Sequence, residues 1–366
     1  MAFQRQLALA AWGDPLDTTT WSGTSAHLAG ALKALDIEII GLNCRPSQAK
    51  LALEHAAHRL IGQDIYYTRR RAGRRACAAL APTLPASCAG IVHMSSVTVP
   101  PRGSTPGVRH FLLCDAMNDY WQKYSTSEAK LTSAQRHKRE ADEIAAVAGL
   151  ELFFPIAQHV GVSLREVYGV GPEKITVVGT GRGKIAPLQT GKDYRRKNIL
   201  MVAAQRFEDK GGPLLLEALQ IARKTDPELH LTLVSPLETA SFVGEKAGIT
   251  LTGRVEWSEL QRLFDEACLY AMPALSEPWG LVYAEALATK TPILGLNRAA
   301  LPELTNNGEY GFLVEDATPE AVAAALLDAI SDPASLQKMG ESGQKYCLEN
   351  FTWERTANLI AGAVFA

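Results

Sequence analysis

Residues 269–296 read LYAMPALSEPWGLVYAEALATKTPILGL. An apolar run of strand length (269–274) enters a polar turn containing Pro278 and Gly280. A stretch rich in the strong helix formers Ala and Leu follows (280–289), and then a second apolar run (291–296). Strands that are apolar throughout, rather than alternating, are covered on both faces, which is the condition of a parallel sheet with crossover helices. One letter resists this reading. From Pro278 to Thr289 the only charged residue is Glu285, on a helix whose apolar residues fall on nearly every face and which is therefore buried. A buried carboxylate without a partner costs several kcal/mol, so Glu285 requires one.

The same alternation extends outward to both ends of the chain. Strands are predicted at 6–12, 37–43, 90–96, 108–114, 151–156 and 174–179, and then at 198–204, 229–235, 249–253, 269–274, 291–296 and 311–315. Helical stretches near 24–35, 47–60, 67–80, 132–149 and 158–168 separate the first set. Those near 212–224, 258–267, 280–289, 318–331 and 334–347 separate the second. The fold class is α/β, with two doubly wound parallel sheets in tandem. They join in the polar, aperiodic stretch GRGKIAPLQTGKDYRRKN (181–198). The expected domains are 1–190, 191–350 and a terminal helix, 351–366, that crosses back to the first domain because no strand remains for it to serve.

With 366 residues, 47% hydrophobic and 21% charged, the composition is that of a soluble globular chain of about two domains. A net charge of −2 argues against a nucleic-acid partner. No apolar run reaches membrane-span length, and the N-terminal apolar stretch is too short for a secretory signal. Six scattered cysteines without CxxC spacing suit a reducing compartment, so a cytoplasmic location is expected.

Ligands of open parallel sheets bind beyond the C-terminal strand ends, so the residues that follow strands decide the chemistry. In SEPWG, Pro278 suits a first helical turn, and Gly280 allows close backbone approach. The N–H groups of Trp279, Gly280 and Leu281 then form a helix N-terminus fit for phosphate. Glu277 precedes that helix, and Glu285 lies one turn below Leu281. The bland alternative pairs Glu285 with Lys290 and uses Glu277 as a cap. After strand 198–204, Arg206 and Lys210 stand beside Gly211 and Gly212, where they suit a diphosphate clamp. The alternative is a solvated turn with Arg206–Glu208 and Lys210–Asp209 pairs. After the first strand, Ser22, Gly23 and Thr24 suit a helix N-terminus.

Taken together these stretches resemble the retaining family-4 glycosyltransferases of the GT-B fold. The likeness is strongest from ILMVAAQRFEDKGG (198–212) through GFLVED (311–316) and weaker at YGVGPEKITVVGTG (168–181) and WSGT (21–24). It implies two Rossmann-like domains facing a cleft, and transfer of a hexose from a nucleotide diphosphate sugar, UDP- or GDP-linked, to a glycan, lipid-linked or small-molecule acceptor. It further implies that Glu277 contacts the donor sugar and Glu285 the ribose, that Arg206 and Lys210 neutralise the diphosphate, that backbone groups of Arg254 and Val255 hold the base, and that Gly23 faces the phosphates. Trp279, Gly280 and Leu281 complete the donor contacts.

The first half departs from the family pattern. Where a His is common, Cys114 and Asp115 follow the strand and His110 lies inside it, so Asp115, or else His93, takes that place beside the sugar. No D-x-D element follows a strand, and neither a metal nor another cofactor is expected. GTGRG (179–183) is followed by no helical pattern and is rejected as a dinucleotide loop. His55 and His58 have no third ligand in sequence. Five arginines within Arg69–Arg75 form a solvated face or a peripheral contact with anionic lipid. Rival functions are a nucleotide-sugar epimerase or phosphorylase of the same fold, and a non-catalytic nucleotide-sugar binding protein.

Overall fold

The computed structural model describes residues 5–126 and 131–366. The chain divides into two compact units: Met1–Lys123 with Ser127–Gly181 and Thr352–Ala366, and Tyr124–Thr126 with Arg182–Phe351. The main segment of the second unit therefore starts at Arg182, before the expected 191. The cause is local: Lys184 and Ile185 turn their backbone amides to Glu285, which binds the connector to the second unit.

In the first unit, β1 (Arg5–Ala11), β2 (Ile37–Asn43), β3 (Cys88–His93), β4 (His110–Cys114) and β5 (Leu152–Pro155) form a parallel sheet in the order β2-β1-β3-β4-β5. The helices are α1 (Thr24–Lys33), α2 (Gln48–Leu60), α3 (Ile65–Leu80), α4 (Asn118–Tyr124), α5 (Ser133–Val147) and α6 (Gln158–Glu166). Leu7 to Ala11 are all buried, as a strand covered on both faces requires.

The predicted strand 174–179 does not form. Thr176 and Val178 donate their amides to Phe153 and Pro155 of β5, but a single isolated bridge, Phe153 with Ile175, results. The return bond to Thr176 would have to come from the amide of Pro155, which has none.

In the second unit, β6 (Asn198–Val202), β7 (His230–Val234), β8 (Ile249–Leu251), β9 (Leu269–Ala271), β10 (Ile293–Leu296) and β11 (Gly311–Val314) form a parallel sheet in the order β11-β10-β9-β6-β7-β8. Its helices are α7 (Gly212–Ala222), α8 (Ala240–Val243), α9 (Trp257–Glu266), α10 (Leu281–Ala288), α11 (Leu301–Leu304), α12 (Pro319–Ser331) and α13 (Pro333–Asn350). Strand order reverses between β6 and β9. Loops leaving neighbouring strands at such a point diverge to opposite faces and leave a crevice for ligand.

The last helix, α14 (Trp353–Val364), belongs to the first unit. Trp353 stacks on His27 of α1 with ring centroids 5.6 Å apart, and Arg355 donates to the Val178 carbonyl at 3.0 Å.

Candidate active site at the strand-order reversal of the second unit

The loops that leave β6 and β9 are built against each other. Gly211 has φ +76°, and a Cβ there would sit 2.0 Å from the Pro273 carbonyl oxygen. Only glycine permits that approach. Arg206 also lies in the left-handed region, at φ +55°, a conformation that costs a side-chain-bearing residue about 1 kcal/mol or more. Its guanidinium is held on three sides: Nε donates to Asp209 Oδ2 at 3.0 Å, and Nη2 to the Ser276 carbonyl at 2.9 Å and to Ser276 Oγ at 3.2 Å. Asp209 in turn accepts from Thr126 Oγ1 at 2.8 Å. Lys210 Nζ lies 3.8 Å from Glu277 Oε2. The simple surface pairs Arg206–Glu208 and Lys210–Asp209 are thus replaced by contacts that tie the two loops together.

The helix after the second loop starts later than the sequence suggests. Gly280, at φ +78°, is the N-cap of α10 and makes no side-chain cap bond. Pro278 therefore lies outside the helix, and Glu277 pairs with Lys210 instead of capping. The first amides of α10 begin at Leu281. Trp279 is buried, its ring edge-on to Phe351 with centroids 5.7 Å apart.

Glu285 is 8% exposed, and its partners are not Lys290, whose Nζ donates to the Thr190 carbonyl. Burial pushes its carboxyl up to about 7, while the amides of Ile185 and Lys184 and the charge of Lys210 pull the other way. A buried carboxyl poised near neutrality is a candidate functional group.

Beside these loops, a cleft of about 610 Å³ is lined by Gln205, Arg206, Phe207, Pro236, Leu237 and Arg254, among others. Pro236 and Leu237 follow β7, and the rule that placed the other loops would have found them. Val255, next to Arg254, is half-buried. Arg206, Lys210, Glu277, Trp279, Gly280, Leu281, Glu285, Arg254 and Val255 all belong to the second unit. Gly23 and Asp115 belong to the first.

In the first unit, Trp21, Ser22 and Gly23 have successive φ values of +46°, +56° and +82°, and Gly23, not Ser22, caps α1. Strain concentrated in this way is common at ligand clamps. Asp115 directly follows β4 and is half-buried.

His93 is not available as its substitute. Its Nδ1 shares a proton with Thr98 Oγ1 at 2.9 Å and its Nε2 with His110 Nδ1 at 2.9 Å, and His110 Nε2 meets Thr105 Oγ1 at 2.7 Å. Both rings are buried and held well toward the neutral form by that burial. His55 and His58 both turn Nδ1 to Thr68 Oγ1, at 3.3 and 3.1 Å. In the GTGRG stretch, Gly181 packs against Trp353 and Gly183 against Glu285, and no helix follows them directly.

Sequence reasoning also missed Glu143, buried on α5. It accepts from Ser96 Oγ at 2.8 Å, from the Asn118 amide at 2.6 Å and from the Tyr168 hydroxyl at 2.9 Å. It ties together the segments that follow β3 and β4.

Known proteins resemble this chain in sequence over its second unit and in fold over nearly its whole length. The D-inositol 3-phosphate glycosyltransferase of Rhodococcus opacus (strain B4) is 34% identical over 215 residues, covering 52% of this chain and 48% of that protein. The chain thus spans about half the length of the curated relatives it matches. Sucrose-phosphate synthase from Thermosynechococcus elongatus superposes with a TM-score of 0.74 at 18% identity, covering 98% of each chain. The HepE protein of Anabaena, solved with UDP and glucose, superposes with a TM-score of 0.66 at 14% identity, covering 99% of this chain and 100% of that one. The fold is GT-B, with two Rossmann-like parallel-sheet domains. Residues 188–346, which hold Arg206, Lys210, Arg254, Val255, Glu277, Trp279, Gly280, Leu281 and Glu285, match the family described as glycosyl transferases group 1.

Proposed function

We propose that this protein transfers a hexose from a nucleotide diphosphate sugar to an acceptor hydroxyl with retention at the anomeric carbon. The observation that carries the reading is the convergence of Glu277, Glu285, Arg206 and Lys210 at the strand-order reversal of the second unit, beside the 610 Å³ cleft. The cleft takes the base and ribose, with Glu285 accepting the ribose hydroxyls. Arg206, Lys210 and the first amides of α10 receive the diphosphate, and Glu277 meets the sugar. As the bond from C1 to the diphosphate oxygen breaks, the acceptor oxygen bonds to C1 from the same face. Its proton passes to the departing diphosphate oxygen. The positive groups already in place offset the charge on the leaving group, so the reading calls for no metal.

UDP or GDP is the favoured nucleotide, and UDP occupies the similar HepE structure. A cyclitol or sugar phosphate is the acceptor that the inositol 3-phosphate relative suggests. Asp115 is assigned to the donor sugar. Asp115→Asn is expected to lower turnover far more than it weakens binding of bare nucleotide, and equal turnover would remove it from the site.

A thermal-shift screen over UDP, GDP, ADP and their sugars, followed by incubation with the sugar that binds, tests the whole proposal. Slow donor hydrolysis supports transfer. An altered sugar on intact nucleotide would replace transfer with epimerisation, and binding alone would leave a non-catalytic receptor. In the same assay, Arg206→Ala and Lys210→Ala should each weaken diphosphate binding by roughly 1.5–3 kcal/mol. Unchanged binding in the double variant would overturn the clamp.

A further inference from the structure

The arginine run of α3 is not a uniformly solvated face. Residues 70, 71, 74 and 75 recur at helical spacing and fall on one side of α3, where Arg70, Arg71, Arg74 and Arg75 line a cavity of about 440 Å³. Lys138 and Asp142 of α5 line it opposite, and Pro101 and Ser104 lie on the loop before β4. Five cations thus face one carboxylate.

The cations are positioned, not dangling. Arg70 is 2% exposed, and its Nη1 donates to the Tyr66 hydroxyl at 3.0 Å. Arg70 Nη2 and Arg74 Nη2 both donate to the same carbonyl oxygen, that of Asp142, at 2.7 and 2.8 Å. Two guanidiniums are thereby drawn to one neutral acceptor. The Nε–H groups of Arg70 and Arg74 are buried and without a hydrogen-bond partner, although a buried, unsatisfied charged donor is costly. The Lys138 ammonium sits 4.9 Å from the centre of the Tyr67 ring.

Neighbouring acids do not neutralise the group. Glu143 is spent on Ser96, Asn118 and Tyr168, and Asp64 pairs with Arg139. Glu54 reaches only Arg75, at 3.5 Å. Burial, and then the charge of Arg70, depress the Arg74 guanidinium to about 10, against the opposing charges of Asp142 and Glu143.

We propose that the cavity between α3 and α5 binds the phosphate group of a phosphomonoester. A dianionic phosphate offers several acceptors to planar guanidinium forks, which a point carboxylate cannot match, and the cavity volume is that of a small-ligand site. The site uses no residue of the nucleotide reading. The phosphate can come from a soluble phosphate ester or from the exposed headgroup of phosphatidic acid.

Calorimetry with glycerol 3-phosphate examines the soluble source. Flotation with phosphatidylcholine vesicles that contain either phosphatidic acid or phosphatidylserine, at equal surface charge, examines the lipid source. Saturable binding of the free ester, at least tenfold weaker in Arg71→Gln and Arg74→Gln and retained in Lys33→Gln and Lys210→Ala, supports the site with a soluble ligand. Preference for phosphatidic acid over phosphatidylserine, lost in the same two variants, supports it with a lipid ligand. Lys138→Gln, on the other helix, should weaken whichever binding is found, which guards against a folding defect of α3. Equal attraction to both anionic vesicles with no binding of the free ester would reduce the cluster to bulk charge and overturn the proposal. So would an absence of binding in every arm.

Discussion

A Cβ placed on Gly183 would lie 2.0 Å from Oε1 of Glu285, well inside contact distance. Gly183 is therefore what lets the connector cross the buried carboxylate and present the amides of Lys184 and Ile185 to it. The replacement Gly183→Ala forces either the connector or Glu285 to move, an overpacking that costs typically 1–3 kcal/mol. Thermal unfolding should show a lowered Tm, and the stabilisation given by added UDP or GDP should shrink as well, because Glu285 leaves its place. An unchanged Tm with unchanged nucleotide response would show that the connector does not position Glu285.

The same carboxylate makes stability depend on pH. Its folded pKa, about 7, lies above the ordinary value near 4.5. Between those values the folded chain holds a proton that the unfolded chain releases, so its contribution is full below about 4.5 and is lost as pH rises through 7. The loss is roughly 3 kcal/mol at most. Urea unfolding at pH 5 and pH 7.5 should therefore show a larger drop in wild type than in Glu285→Gln. Parallel drops would mean that Glu285 is ionised throughout.

How far the residues announced this arrangement depends on what each signal measures. Eleven of the twelve predicted strands formed, because an apolar run in a parallel sheet is a local pattern. The twelfth failed on one missing amide at Pro155, a fact about its neighbour and not about residues 174–179. The helix α4 (Asn118–Tyr124), reading NDYWQKY, has no apolar periodicity to mark it. At the site, Glu285 stood out because charge is rare in an apolar helix, yet its partners are main-chain amides about a hundred residues earlier, which carry no side-chain signature. Ser276 and Asp209, which hold Arg206, are ordinary loop letters until the two loops meet. His93 looked accessible after a strand. Its hydrogen-bond partner, His110, lies on the adjacent strand, and pairing of β3 with β4 brings the two rings together.

Lys192 should show the opposite pH behaviour. Its ammonium is buried and donates to the carbonyls of Phe264 and Ala267 at 2.7 and 2.9 Å, and to Thr291 Oγ1. Burial lowers its pKa to about 7 from 10.5. Between those values the unfolded chain binds the proton that the folded chain has lost, so stability rises with pH across that window and is level below 7. Lys192→Met removes the titrating group but leaves the two carbonyls without their donor, so the variant should be less stable overall with a flatter profile from pH 7 to pH 10. A variant as steep as wild type over that range would assign the slope to another group.

The two glutamates of the second unit are predicted to act on opposite ends of one ligand. Glu277 contacts Lys210 at 3.8 Å, on the side of the loop that carries the diphosphate cations. Glu285 lies within α10, close to the connector amides. A bare nucleoside diphosphate has a ribose but no sugar. Glu285→Gln should weaken its binding about tenfold, a loss of roughly 1.4 kcal/mol, because the amide of Gln offers the ribose one acceptor where the carboxylate offers two. Glu277→Gln should leave that binding nearly unchanged, since the proposed function assigns the diphosphate to Arg206, Lys210 and the first amides of α10. With the complete donor the order reverses. Glu277→Gln should mainly lower kcat, as expected of a contact that strengthens when charge develops on the sugar, and KM should change little. Calorimetry with the bare nucleotide and steady-state kinetics with its sugar separate the two roles. Equal losses of nucleotide affinity in both variants would place the two carboxylates on the same part of the ligand, and a Glu285→Leu protein that is more stable and binds nucleotide as wild type does would return Glu285 to the core as a polar residue without a ligand.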